Sequence, residues 1–190
     1  MDPAISTFDM SWRLQALVYE TLVTTNEQAE IVPAIAESWE QPSDTSFVFT
    51  LRPGVTFSNG RAMTAADVVG SLQRVIDPAT ASYWAPQMGP IDTIVAVDDQ
   101  TVQVDLAAPF APFLASLANI SAAILPMTEL ADGSFDPTTQ MLGSGPFALK
   151  EHVPDQQWNF ERNANYWRAG YPLLDAVEVR VVPDDATRVA

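Results

Sequence analysis

The chain has 190 residues, 47% of them hydrophobic and 17% charged, a balance that supports a buried core and excludes a disordered chain. Its 24 acidic residues against 9 basic ones give a formal charge of −15, which repels phosphate backbones and anionic lipid and excludes nucleic acid as a partner. The absence of cysteine rules out disulfides, thiolate metal sites and cysteine nucleophiles.

From the start, residues 2–10 lack periodicity and read as an ordered loop leading into a helix. Asp9 or Ser11 can cap that helix, and Leu14, Leu17, Val18, Thr21 and Leu22 keep a 3.6-residue stripe. Phe8 is suited to stapling its first turn. Ser46 to Leu51 alternates, with Phe47, Phe49 and Leu51 on one side, as a strand with one face in a core does. Pro53-Gly54 and Asn59-Gly60 then turn the chain twice around Val55–Phe57. A helix follows, opened by Thr64 and Asp67 in a capping box, carrying Val68, Val69, Leu72, Val75 and Ile76 on one face and stopped by Pro78.

The stretch from Asp77 to Pro90 has three prolines and no period, so it is a long surface loop in which Tyr83 and Trp84 cap a core edge. A hairpin follows, with Ile91, Val95 and Val97 entering and Val102, Val104 and Leu106 leaving. Asp98 and Asp99 at its tip are turn formers and not a catalytic acid pair, because neighbours on a turn point apart into water. Phe113 to Ala118 forms a short helix, and Thr128 to Gly133 a helical turn. The run Gly143-Ser144-Gly145-Pro146-Phe147 lacks the Gly-Lys-Ser/Thr ending of a phosphate loop; two glycines instead let the backbone pass close to something bulky. Two strands follow through Phe147 and Leu149, then Trp158 and Phe160. Asn163 to Trp167 reads as a turn whose aromatic residues pack the strand's back, and Val177, Val179 and Val181 mark a last strand.

Several of these blocks carry a resemblance: Ala34-Ile35-Ala36-Glu37-Ser38-Trp39, Leu51-Arg52-Pro53-Gly54-Val55-x-Phe57, Asn59-Gly60, Thr64-Ala65-x-Asp67-Val68-Val69, Gly143 to Phe147, and Arg162-Asn163-x-Asn165-Tyr166-Trp167. In this order they resemble the extracytoplasmic solute-binding proteins of peptide/nickel-type ABC transporters, the bacterial solute-binding protein family 5. The tail from Pro172 to Arg188 continues in register. The resemblance implies an α+β fold, periplasmic-binding-protein-like, with two subdomains of one lobe: residues 1–41 and 141–190 as an outer part and 42–140 as an inserted part. It also implies a second lobe beyond Ala190, so that the chain is an N-terminal piece of a longer protein with an export signal upstream and exposed sheet edges prone to self-association.

By the same resemblance, Ser6, Thr7, Phe8 and Asp9 lie at the mouth of a ligand cleft, Gln87, Met88 and Gly89 lie near it, and Ser144, where threonine is common, sits at the junction between subdomains. The expected partners are a small-molecule or peptide ligand and the permease subunits of an importer, in a periplasmic or extracytoplasmic location, with no cofactor. The single histidine, His152, cannot build a usual zinc site, and no serine sits in a G-x-S-x-G elbow. A carboxylate-dependent hydrolase of sugars or peptides stays open as the alternative, although no acid pair is set apart.

Overall fold

The computed structural model describes residues 1–182. Its first helix, α1 (Asp9–Val18), begins after the extended Phe8, whose side chain makes no cap; neither Asp9 nor Ser11 caps it, since both lie inside the helix. Asp9 instead stands in the first turn and pairs with Arg13 at 3.1 Å. The helix ends at Val18, not at Leu22 as its stripe predicts, because the next backbone groups are taken elsewhere. Gly145 N–H donates to Val18 O, Ile124 N–H to Glu20 O, and Ala34 and Ala36 N–H to Leu22 O. Tertiary hydrogen bonds outcompete another helical turn here.

A small hairpin, β1 (Val23–Thr25) and β2 (Ile31–Pro33), leads into a four-stranded antiparallel sheet. Its strands are β3 (Ala36–Ser43), β4 (Ser46–Leu51), β5 (Ile91–Asp98) and β6 (Thr101–Leu106), in the order β3-β4-β6-β5. The alternation expected for residues 46–51 is present: Phe47, Phe49 and Leu51 are buried, and Val48 and Thr50 are not. On β5 a register shift between Ile91 and Thr93 turns Ile94 inward and leaves Val95 and Val97 exposed, against the phase expected for those valines.

Against the inner face lies α2 (Ala65–Ile76), with Val68, Leu72 and Val75 fully covered. Its start is over-determined: the Asp67 carboxylate accepts from Thr64 N–H at 3.0 Å, from Met127 N–H at 3.0 Å and from both Arg61 terminal nitrogens at 2.9 and 2.7 Å. Arg61 also reaches both Glu129 oxygens at 2.8 Å. One guanidinium therefore joins the Asn59-Gly60 turn to α2 and to the later helix α4 (Met127–Asp132), with α3 (Phe113–Leu117) between them in sequence. A fully buried Phe or Leu in this core contributes roughly 1.5–3 kcal/mol.

A second sheet, β7 (Phe147–Val153), β8 (Gln157–Arg162) and β9 (Ala176–Arg180), is antiparallel in that order. It packs a smaller core of Val18, Tyr19, Ala123, Leu125, Phe135, Met141, Phe147 and Phe160. Mixed helix and antiparallel sheet make the fold α+β, as expected. The expected boundary between residues 41 and 42 falls inside β3. The last strand covers Val177 and Val179, and the sequence match from Pro183 to Arg188 lies outside the described residues.

Candidate functional site

The segment before α1 is tied down at every second residue. Asp2, buried to 2% exposure, takes both terminal nitrogens of Arg74 on α2, one at 2.9 Å, and the Ala4 N–H at 3.0 Å. Ser82 Oγ donates to the Ala4 carbonyl. The Ser6 carbonyl then accepts two indole N–H groups, Trp84 at 2.8 Å and Trp12 at 3.1 Å. Beyond this anchorage Thr7, Phe8 and Asp9 are exposed, and Phe8 is 75% exposed, so it does not staple the helix. A cleft of ≈ 310 Å³ opens beside them, walled by Ile5, Thr7, Phe8 and Ser11 on one side and Met141 and Trp158 on the other. The buried Gln15 lines it and gives its amide N–H to Met1 O at 2.9 Å.

The other residues expected near the ligand do not line this cleft. Gln87 is exposed, and its carbonyl accepts from Ser116 Oγ at 2.6 Å in a separate dip bordered by Ala115 and Asn119. Met88 is 1% exposed, with its side chain in the larger core. Gly89 has φ 79°, and a Cβ there would lie 2.4 Å from the Phe110 ring, so its role is to let that ring close over the turn. Of the same loop, Trp84, buried as expected at a core edge, meets the 2–9 segment together with Ser82; Tyr83 stays 66% exposed, edge-on to Trp84 at 5.3 Å.

Ser144 is wholly buried and donates to Glu20 at 3.0 Å. The same carboxylate accepts from Trp167 Nε1 at 2.9 Å and Tyr166 OH at 3.1 Å. Trp167 packs against the larger core, while the polar edges of Tyr166 and Trp167 hold an acid and Arg52 lies over the Trp167 ring at 4.4 Å. Burial pushes the Glu20 carboxyl above its ordinary range, opposed by hydrogen bonds from Trp167, Ser144 and Tyr166 and by the charge of Arg52. Burial, and then the neighbouring Glu20 charge, push the Tyr166 phenol up. Glu20 escaped the sequence reading, although one acid inside the apolar run Leu17 to Val23 is a signal that it needs buried partners.

Among the described residues, the side chains weighed for hydrolysis stand apart. His152 stacks on Trp158 at 3.6 Å on the β7–β8 hairpin, and Lys150 makes an exposed pair with Glu161. Asp98 accepts from Gln100 N–H and Thr101 Oγ1, the turn role expected of it. Among the described residues no three His, Cys, Asp or Glu side chains gather in a way that could hold a metal ion, and no helix is long and apolar enough to cross a membrane.

A family model for bacterial extracellular solute-binding proteins, family 5, matches residues 30–190. The chain is 29% identical to a glutathione-binding protein of Pectobacterium atrosepticum over 100% of its own length and 37% of that relative. It is 34% identical to heme-binding protein A of Haemophilus influenzae, covering 91% of the chain and 36% of that protein. Its structure superposes on a periplasmic binding protein of A. tumefaciens R10 in complex with agropinic acid with a TM-score of 0.93 at 28% identity, over 99% of this chain and 38% of the other. The chain thus spans somewhat more than a third of the relatives that it matches.

Proposed function

The chain belongs to the bacterial extracellular solute-binding proteins of family 5, and we propose that it is part of the substrate-binding component of an ABC importer. In this reading it captures a small solute, a peptide, outside the cytoplasmic membrane and delivers it to the permease without turning it over. The observation that carries the reading is the 6–9 loop: apolar and hydroxyl side chains left open to solvent at the end of a segment that is anchored at alternate residues. An exposed aromatic on a rigid support is what a binding surface needs and what a folding core does not.

Ser6, Thr7, Phe8 and Asp9 are the proposed contacts. Gln87, Met88, Gly89 and Ser144 are proposed as a second set near the ligand, with Gln87 exposed and the side chains of Met88 and Ser144 buried. A peptide suits loops that offer hydroxyls and exposed backbone beside apolar side chains, and the glutathione-binding relative is in keeping with it. Affinity would come from hinge closure, in which ligand contacts are completed by a second lobe. The lobe would divide into an outer unit, 1–41 with 141–190, and an inserted unit, 42–140. The larger core lies mostly in the inserted unit and draws Leu22, Val23 and Ile35 from the outer one, while the smaller core joins Ala123, Leu125 and Phe135 to outer-unit residues.

Native mass spectrometry of the protein purified gently from its source tests the reading. A species that sheds a peptide-sized molecule on denaturation is the expected result; release of a metal ion or a sugar would replace the solute, and turnover of a peptide would overturn the binding role.

A further inference from the structure

We propose that Trp84 is a positioning residue for the 6–9 loop, and that its indole N–H, shared with that of Trp12 on one carbonyl, sets the direction in which the ligand contacts leave the body of the protein. The inference rests on the reading of residues 6–9 as ligand contacts.

A carbonyl oxygen has two lone pairs, and at Ser6 both are filled by indole donors, 2.8 Å from Trp84 and 3.1 Å from Trp12. The two rings meet edge to face at 5.1 Å. Both donors follow the loop in sequence, Trp12 from α1 just after it and Trp84 from the distant 77–90 segment. Trp84 is only 7% exposed, and its own backbone N–H donates to Ser82 Oγ at 3.1 Å. Ser82 in turn holds the Ala4 carbonyl, so one short stretch of chain grips the loop at two alternate carbonyls. With Ser6 N–H bonded to Asp2 O at 3.0 Å, the peptide units before and after the Ser6 Cα are both held. The peptide unit that follows carries Thr7, and its orientation is the first variable that decides where Phe8 and Asp9 point. None of this requires Trp84 to touch the ligand.

Trp84→Phe keeps an aromatic ring for the contacts with Trp12 and Tyr83 and deletes the donor; Trp12→Phe does the same from the other side and serves if the first variant folds poorly. Amide exchange by NMR on the 190-residue chain reads the anchorage, with β4 and β6 amides as the check on folding. Titration with millimolar trialanine, followed at the amides of Thr7 to Asp9, reads the contacts. The expected result is exchange at Ser6 faster by about fivefold, unchanged protection in β4 and β6, and a trialanine response at residues 7–9 that falls by at least a similar factor. Unchanged Ser6 exchange in both variants overturns the positioning role. So does faster exchange with an undiminished trialanine response, which would make Trp84 a packing residue only. If the unmodified chain shows no response at residues 7–9, the contact reading fails and takes the proposal with it, while Ser6 exchange still reports whether the loop is pegged.

Discussion

Glu20 binds two turns that lie 124 and 147 residues further along the chain, through Ser144 and Trp167. Truncating it strands three donors in a recess, and an unpaired buried donor costs about 1–3 kcal/mol. Glu20→Ala should therefore lower unfolding free energy in urea by about 3 kcal/mol, and Glu20→Gln, which keeps one acceptor oxygen, by markedly less. The pH dependence has a definite sign. The folded carboxyl titrates above its ordinary value of 4.5, so the folded state holds its proton more tightly than the unfolded chain does. Stability relative to Glu20→Gln should fall as pH rises from about that ordinary value through the folded one; a gain over the same range would show that the hydrogen bonds outweigh burial. Phe8 gives the contrasting case. At 75% exposure, its replacement by Ala should shift stability by less than about 0.5 kcal/mol, while peptide binding by the full-length protein weakens. Equal binding by the variant would remove Phe8 from the contacts.

The elements show why a motif can be legible while its partner is not. Strand β4, the turns around Val55–Phe57, helix α2 with its capping box and the presence of the β5–β6 hairpin follow from local periodicity and turn chemistry, although β4 also pairs with the distant β6 and the face of β5 does not follow its valines. The end of α1 was not legible, since it depends on carbonyls claimed by residues 34–36, 124 and 145. Two glycines in the 143–147 turn did announce a close approach, and the bulk that they pass is the last turn of α1: a Cβ on Gly143 would lie 2.2 Å from Val18 O. Gly143→Ala should cost about 3 kcal/mol in chemical denaturation, with the damage centred on the smaller core, whose Tyr19 ring would lie 2.7 Å from the new Cβ. An unchanged midpoint would mean that the turn moves aside freely.

For the whole molecule, the proposed function makes this chain one wall of a site. Each charge-assisted hydrogen bond that an opposing lobe would supply contributes on the order of 1.5–3 kcal/mol, so the 190-residue chain by itself should bind peptides only weakly. Micromolar or tighter binding by calorimetry would show that the contacts described suffice alone. What the sequence determined by itself is the class and the kinship: alternation, caps and turn residues are local, and an ordered set of such local blocks identifies both the α+β fold and the solute-binding family. What only tertiary structure decided is which side chains are free. Met88 and Ser144 sat in the same motif-bearing stretches as Gln87 and Phe147, yet they are consumed by the core and by Glu20, while Trp84 turns its donor onto Ser6. The reason is physical. Periodicity reports the face that a residue presents to its neighbours in sequence, but a polar group's partner is set by which distant segment comes within about 3 Å of it.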